Sequence, residues 1–175
     1  MRVFLDFEAS SLSKKNSYPI EVGWVFEDGR ETEYLIRPAP AWTEWDPAAE
    51  AVHGISRETL LREGTPHEIV CDRLVAALGD DVIYASSPSW DGHWLSMLLR
   101  AAGRPRHLMR LRDSEEAFVE AARGHLGATA SPEAVSAMIA RARTAAGEGP
   151  VTHRALADAR REYRIWLALA RAEGT

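Results

Sequence analysis

Four carboxylates and one imidazole stand out for where they fall. Asp6 and Glu8 lie in Val3-Phe4-Leu5-Asp6-Phe7-Glu8, a short apolar run that reads as a strand. Side chains alternate faces along a strand, so the two carboxylates point the same way. Like charges side by side repel unless a cation sits between them. Mg²⁺ and Mn²⁺, which take oxygen ligands, are the natural candidates. The pattern is common, and a strand fraying into a loop would produce the same two letters. Asp91 opens a helical pattern with Leu95, Leu98 and Ala102, so it extends an apolar stripe. Capping its own helix would explain it, and so would a polar cleft at the carboxyl ends of the strands. Asp158 sits at the edge of the core face of the last helical pattern, five residues after His153.

The chain around these residues has 175 residues, enough for one domain with a sizeable core, 1–175. Its first ten residues are too short and too acidic for a signal peptide, and no run approaches a membrane span. One cysteine, Cys71, excludes an internal disulfide and a cysteine metal cage, which points to a cytoplasmic setting. The net charge of −5 argues against an extended footprint on a long duplex, but not against a small site where metal ions supply the positive charge.

The elements that must position the site follow in order. After the first strand, Pro19 precedes a strand over Ile20–Phe26, an Asp28-Gly29 turn, and a returning strand over Thr32–Arg37. Pro38–Pro47 reads as a loop containing Trp42 and Trp45. Thr65-Pro66-His67-Glu68 reads as a helix start with Thr65 as cap, and Gly79 ends that helix. Val82–Ala85 is a continuous apolar run, as in a strand buried on both faces. A helix from Asp91 to Ala102 and a strand over His107–Arg112 come next. Asp113-Ser114-Glu115-Glu116 and Ser131-Pro132 open two further helices. The last helix runs from near His153 to Ala172, with Leu156, Ala159, Tyr163, Trp166, Leu167 and Ala170 as its core face. Strands first, then alternation, then a long helix give an α/β domain with a mixed five-stranded sheet flanked by helices.

Asp6-Phe7-Glu8, Trp90-Asp91 before a helix, and His153-Arg154-Ala155-Leu156-Ala157-Asp158-Ala159 resemble the three motifs of the DEDDh 3′–5′ exonucleases. That is the DnaQ-like branch with an RNase H-like fold. Pro19-Ile20-Glu21-Val22-Gly23 resembles the family's second strand, and Val52-His53-Gly54-Ile55 the loop after its third. The resemblance implies a metal-dependent 3′–5′ exonuclease that hydrolyses single-stranded RNA or DNA ends to nucleoside 5′-monophosphates. Two divalent ions, Mg²⁺ or Mn²⁺, roughly 3.5–4 Å apart would clamp the phosphodiester. Asp6, Glu8 and Asp158 would bind the first ion, Asp6 would bridge to the second, and Asp91 would act directly or through water. His153 would be the general base, a role that suits an imidazole.

The resemblance also implies contacts to the terminal nucleotide from Phe7, Ala9, Ser10, His53 and Trp90. Core packing is the competing use of Phe7 and Trp90. The family often has Thr-Gly after its first motif where this chain has Ala9-Ser10-Ser11-Leu12, and His-Asn where it has Ser86-Ser87-Pro88-Ser89. Arg104, Arg106, Arg110 and Arg112 form a basic cluster that reads as a solvated or ion-paired surface in preference to a guide for a phosphate backbone. The chain ends soon after the last motif, which favours a stand-alone nuclease over a proofreading subunit. Similar small nucleases are often homodimers, and Trp42 and Trp45 suit either an interface or a cap on the core. Two other readings keep the fold: a non-catalytic module that binds nucleic-acid ends, and an RNase H-like endonuclease.

Overall fold

The structure is a computed structural model describing residues 1–147 and 153–171. Three N-terminal strands, β1 (Arg2–Ala9), β2 (Pro19–Phe26) and β3 (Glu31–Arg37), are followed by two short helices, α1 (Pro47–His53) and α2 (Arg57–Glu63). Then come β4 (Thr65–Pro66), α3 (His67–Leu78), β5 (Val82–Ala85), α4 (Pro88–Ala101) and β6 (Leu111–Asp113). Three helices close the described chain: α5 (Ser114–Leu126), α6 (Pro132–Ala145) and α7 (Ala155–Ala170). The sheet order is β4-β3-β2-β1-β5-β6. β1, β2 and β3 pair antiparallel in sequence, while β5 joins β1, β6 joins β5 and β4 joins β3 in parallel.

The sheet therefore has six strands, not five. The extra one, Thr65–Pro66, lies against Ile36 and Arg37. Those two residues are spent on the ladder, so Thr65 does not cap α3, whose N-cap is Pro66 without a side-chain bond. α1 starts where the Pro38–Pro47 loop ends and was not expected: Asp46 accepts from Ala48 N at 2.9 Å, Pro47 fills the first helical position, and Gly54 ends the helix at a φ of 70°. α4 begins earlier than Asp91 because Pro88 takes its first position.

Period-two alternation divides β1 between two layers. Val3, Leu5, Phe7 and Ala9 pack with Ile20, Val22 and Trp24 of β2 beneath α3 and α4. Phe4 faces the other way, into a cluster of Tyr84, Phe118 of α5, Ile139 of α6, and Ile165 and Leu169 of α7. Asp6 and Glu8 continue that second face toward the carboxyl end of the strand. Trp42 stacks on Tyr18 at 5.4 Å, and the Trp45 indole donates to Glu50 at 2.6 Å, so the Trp-rich loop caps the core. Among the described residues no helix is long and apolar enough to cross a membrane.

α7 is set by a close approach. A Cβ at Gly23 would lie 2.5 Å from Leu156 Cα and 2.8 Å from Ala155 C, so only glycine lets the helix rest on β2 there. Gly23 is the register partner of Asp6, which puts the first turn of α7 beside that carboxylate. The buried residues of α7 are Ala155, Leu156, Ala159, Ile165 and Leu169, while Ala170 is exposed and Tyr163, Trp166 and Leu167 are half-buried. Of the expected face, Leu156 and Ala159 are buried and Tyr163 and Trp166 lie against Phe4 at 6.4 and 5.8 Å, while Ile165 and Leu169 join the same cluster and widen the face beyond the expected stripe. Gly23→Ala should cost about 2 kcal/mol or more, because backbone atoms on both sides cannot yield. A thermal melt should show the midpoint lowered by roughly 4–8 °C.

Candidate active site

β1 runs on after β5 has stopped. The two strands pair from Arg2 with Val82 to Phe4 with Tyr84, and β5 ends at Ala85. Beyond that point the edge of β1 facing α4 has lost its strand partner. The first turn of α4 enters the gap, and Asp91 accepts a hydrogen bond from Phe7 N at 3.2 Å. Asp91 is 2% exposed. Its carboxyl is thus fixed to the strand that carries Asp6 and Glu8, which answers whether it merely caps its own helix.

From the other side α7 delivers Asp158. Carboxylate oxygens of Asp6, Glu8 and Asp158 all lie within 4.8 Å of one another, a spacing that one divalent ion could span. The electrostatics agree with the geometry. Burial raises the Asp6 carboxyl well above its ordinary range, and Asp91, Glu8 and Asp158 add to the effect. Burial pushes Glu8 up to about 8, reinforced by Asp158 and Glu21 and opposed by Arg154. Asp91 is pushed up to about 7, again by burial, against the pull of the Phe7 N–H. Asp158 is raised by burial and pulled down by His153 and Arg161. Burial of these crowded acids outweighs the pull of Arg154, His153 and Arg161, which is the electrostatic profile of a site built for positive charge.

His153 lies just ahead of α7, exposed, with a φ of 45°. Few non-glycine residues take that conformation, and strain of this kind concentrates at functional positions. The two residues that follow His153 are held by Glu21, a residue not singled out for any role in the sequence. Glu21 is 1% exposed and accepts from Ala155 N at 2.9 Å, so it caps α7 in place of an N-cap side chain. Its other contacts are with the Arg154 guanidinium, at 2.5 Å to Nη2 and 3.0 Å to Nε. α7 therefore starts at Ala155, not at His153.

The five expected nucleotide contacts separate into two groups. Phe7 and Ala9 have their side chains in the core, and the buried Ser10 hydroxyl is engaged with Glu44 at 2.6 Å and Tyr18 N at 3.2 Å. Their side chains face the interior, so any contact from them is through the backbone. Trp90 is half-buried, stacked on Trp94 at 5.6 Å and covered by the Lys14 ammonium at 4.8 Å. His53 is buried at the end of α1. Its Nδ1 accepts from Ile55 N at 3.1 Å, while Nε2 has no partner among the described residues. Burial lowers its basicity, and Glu21, Arg154 and His153 all act on it, which places it beside the start of α7.

A fifth carboxylate, Glu162, lies one turn beyond Asp158 on α7. Ser114 at the start of α5 donates to it, and burial raises its carboxyl. It contributes to the upward shifts of both Asp6 and Asp91. The signal was present in the chain as the i, i+4 spacing from Asp158.

No family model and no curated relative matches the chain. Solved structures do. E. coli exonuclease I in complex with a dA16 oligonucleotide superimposes with a TM-score of 0.67 at 14% identity, covering 97% of this chain and 40% of the other. The zinc-bound form of its complex with single-stranded DNA gives 0.65 at 15% identity, covering 97% and 39%. This chain spans about two fifths of the length of those structures. The architecture they share with it is the RNase H-like α/β fold, and that is the fold of this protein.

Proposed function

We propose that the protein is a metal-dependent 3′–5′ exonuclease that hydrolyses single-stranded RNA or DNA ends to nucleoside 5′-monophosphates. The observation that carries this reading is the meeting of Asp6, Glu8 and Asp158 within 4.8 Å at the end of β1, with Asp91 tied to the same strand. Such a donor set, all carboxylate oxygen, suits Mg²⁺ or Mn²⁺. Asp6, Glu8, Asp158 and Asp91 would hold the ions, which supply positive charge to the attacking water and to the leaving oxygen.

The chain's own groups do the rest. His153 accepts the water's proton at an imidazole nitrogen as the water oxygen bonds to phosphorus. The bond from phosphorus to the 3′-oxygen of the preceding nucleotide breaks, and that oxygen leaves with a proton from solvent. His153 is exposed and next to Asp158, so it reaches the water from the open side. The half-buried Trp90 would stack on a terminal base once the Lys14 ammonium over its ring moves aside. The single buried cysteine is in keeping with a cytoplasmic setting. The single-stranded DNA in the exonuclease I structures supports the substrate class.

Purified protein with Mn²⁺ or Mg²⁺ and 5′-labelled RNA and DNA oligomers should give a ladder shortening from the 3′ end. Asp6→Ala should abolish it, and His153→Ala should lower kcat by roughly 10²–10⁴. No ladder, or an undiminished ladder from Asp6→Ala, would falsify the reading. Internal cuts that survive His153→Ala would assign an endonuclease instead.

Stability should report the ions independently. Glu8 and Asp91 stay protonated in the fold at pH values where the unfolded chain has released their protons. Their contribution is therefore full below the ordinary carboxylate range and is lost as pH rises toward about 8. The thermal midpoint in EDTA should be lower near pH 8 than near pH 5.5. Mn²⁺ should raise it, more at the higher pH, and Asp158→Asn should shrink the rise. A midpoint indifferent to Mn²⁺ at either pH would contradict a metal site here.

A further inference from the structure

The segment from Gly92 to Arg112 carries five arginines and no acidic residue, in a chain whose net charge is −5. Acids from other elements neutralise two of them. Arg104 pairs with Asp72 at 2.7 Å, and Arg112 with Glu116 at 2.6 Å and Glu120 at 3.2 Å. The other three, Arg100, Arg106 and Arg110, form no ion pair among the described residues. They converge on one cavity of about 480 Å³, between α4 and the chain leading into β6, that also includes Gly92, His93 and His107.

Within that cavity the donors outnumber the acceptors. Arg100 Nε reaches its own helix at Ser96 O, 3.3 Å away, and Arg106 Nε donates to His107 Nε2 at 2.7 Å. No protein acceptor among the described residues takes a hydrogen bond from the terminal nitrogens of either guanidinium or from Arg110. His93 Nε2 is buried without a partner among the described residues. Three uncompensated guanidiniums in one concavity match an anion with several oxygens.

The position supplies the identity of the anion. Gly92, in the cavity wall, follows Asp91 directly, and α4 carries the wall from there to Arg100, about 12 Å along the helix axis. Trp90, the residue before Asp91, carries the Lys14 ammonium 4.8 Å over its ring, and Lys14 and Arg100 both act on His93 in the cavity wall. A positive groove leading from an aromatic platform is the usual seat of a single strand.

We propose that the cavity lined by His93, Arg100, Arg106 and Arg110 is a phosphate groove that seats the backbone of the single-stranded substrate away from its reacting end. The groove rests on the exonuclease reading for its ligand, but its binding can be measured without hydrolysis. Fluorescence anisotropy in EDTA would compare a single-stranded oligonucleotide of about twelve nucleotides with a dinucleotide. Arg100→Ser, Arg106→Ser and Arg110→Ser combined should weaken the longer strand about ten-fold or more and lower its salt slope by roughly 2. Affinity for the dinucleotide should change much less, and the melting midpoint should hold, since all three side chains are exposed.

Unchanged affinity and salt slope for the longer strand, or no binding of it by the parent protein, overturns the groove. So does equal competition by a nucleoside 5′-monophosphate, which would mark a single-phosphate site. Arginine-dependent binding of an acidic peptide, without binding of the oligonucleotide, would reassign the surface to a protein partner and also overturn it. A 3′ ladder with Mn²⁺ alongside unaltered affinity in the triple variant removes the groove and leaves the exonuclease. Arginine-dependent binding without any ladder does the reverse.

Discussion

Glu21 holds the site together from beneath. One buried carboxylate caps the first turn of α7, pairs with Arg154 and lies opposite Glu8 in the β1–β2 register. A buried charge of this kind is tolerated only where its lone pairs are answered, and here a guanidinium and a helix N-terminus answer them. The strand and the helix are thereby locked into one geometry, with His153 directly before the clamped Arg154. Gly23, two residues on and on the same face of β2, supplies the clearance that lets the helix approach. Glu21 attracts the helix and Gly23 admits it.

The remaining acids oppose that order. Asp6, Glu8, Asp91, Asp158 and Glu162 converge where Phe4 and its aromatic neighbours leave off. Asp91, Glu8, Asp158 and Glu162 all raise the cost of ionising Asp6. The fold bears this because the two apolar layers on either side of the sheet are extensive and because Asp91 and Glu162 have donors in Phe7 and Ser114. Local consistency is relaxed at the site and kept elsewhere, as expected where binding rather than stability has shaped the residues.

The spacings that drew attention to the four carboxylates and His153 are local: D-x-E in a strand, Asp91 at a helix start, H-x-x-x-x-D before and inside a helix. Glu21 drew none, since its partner Arg154 lies 133 residues away and a glutamate in a strand ordinarily reads as solvent-facing. α1 was hidden because seven residues offer no apolar stripe, although Asp46, Pro47 and Gly54 carried its caps. Thr65 had the letters of a cap, but the ladder with β3 took its backbone first. The face of α7 is wider than expected because a helix that packs on β2 at one end and on α5 and α6 at the other presents different stripes to each. The arginines after α4 were read as one surface cluster; only tertiary pairing separates the two that are neutralised from those that are not.

Unequal strand length is what opens the cleft. β1 continues four residues past Leu5, where β5 gives out, which at strand rise is about 13 Å of edge without a neighbour. That overhang works as a ruler. A longer β5 would zip the notch shut and displace the first turn of α4; a shorter β1 would leave Glu8 with no rail to stand on. The depth of the cleft is therefore encoded in where two apolar runs stop, and the acids decorate a space the backbone has already measured out.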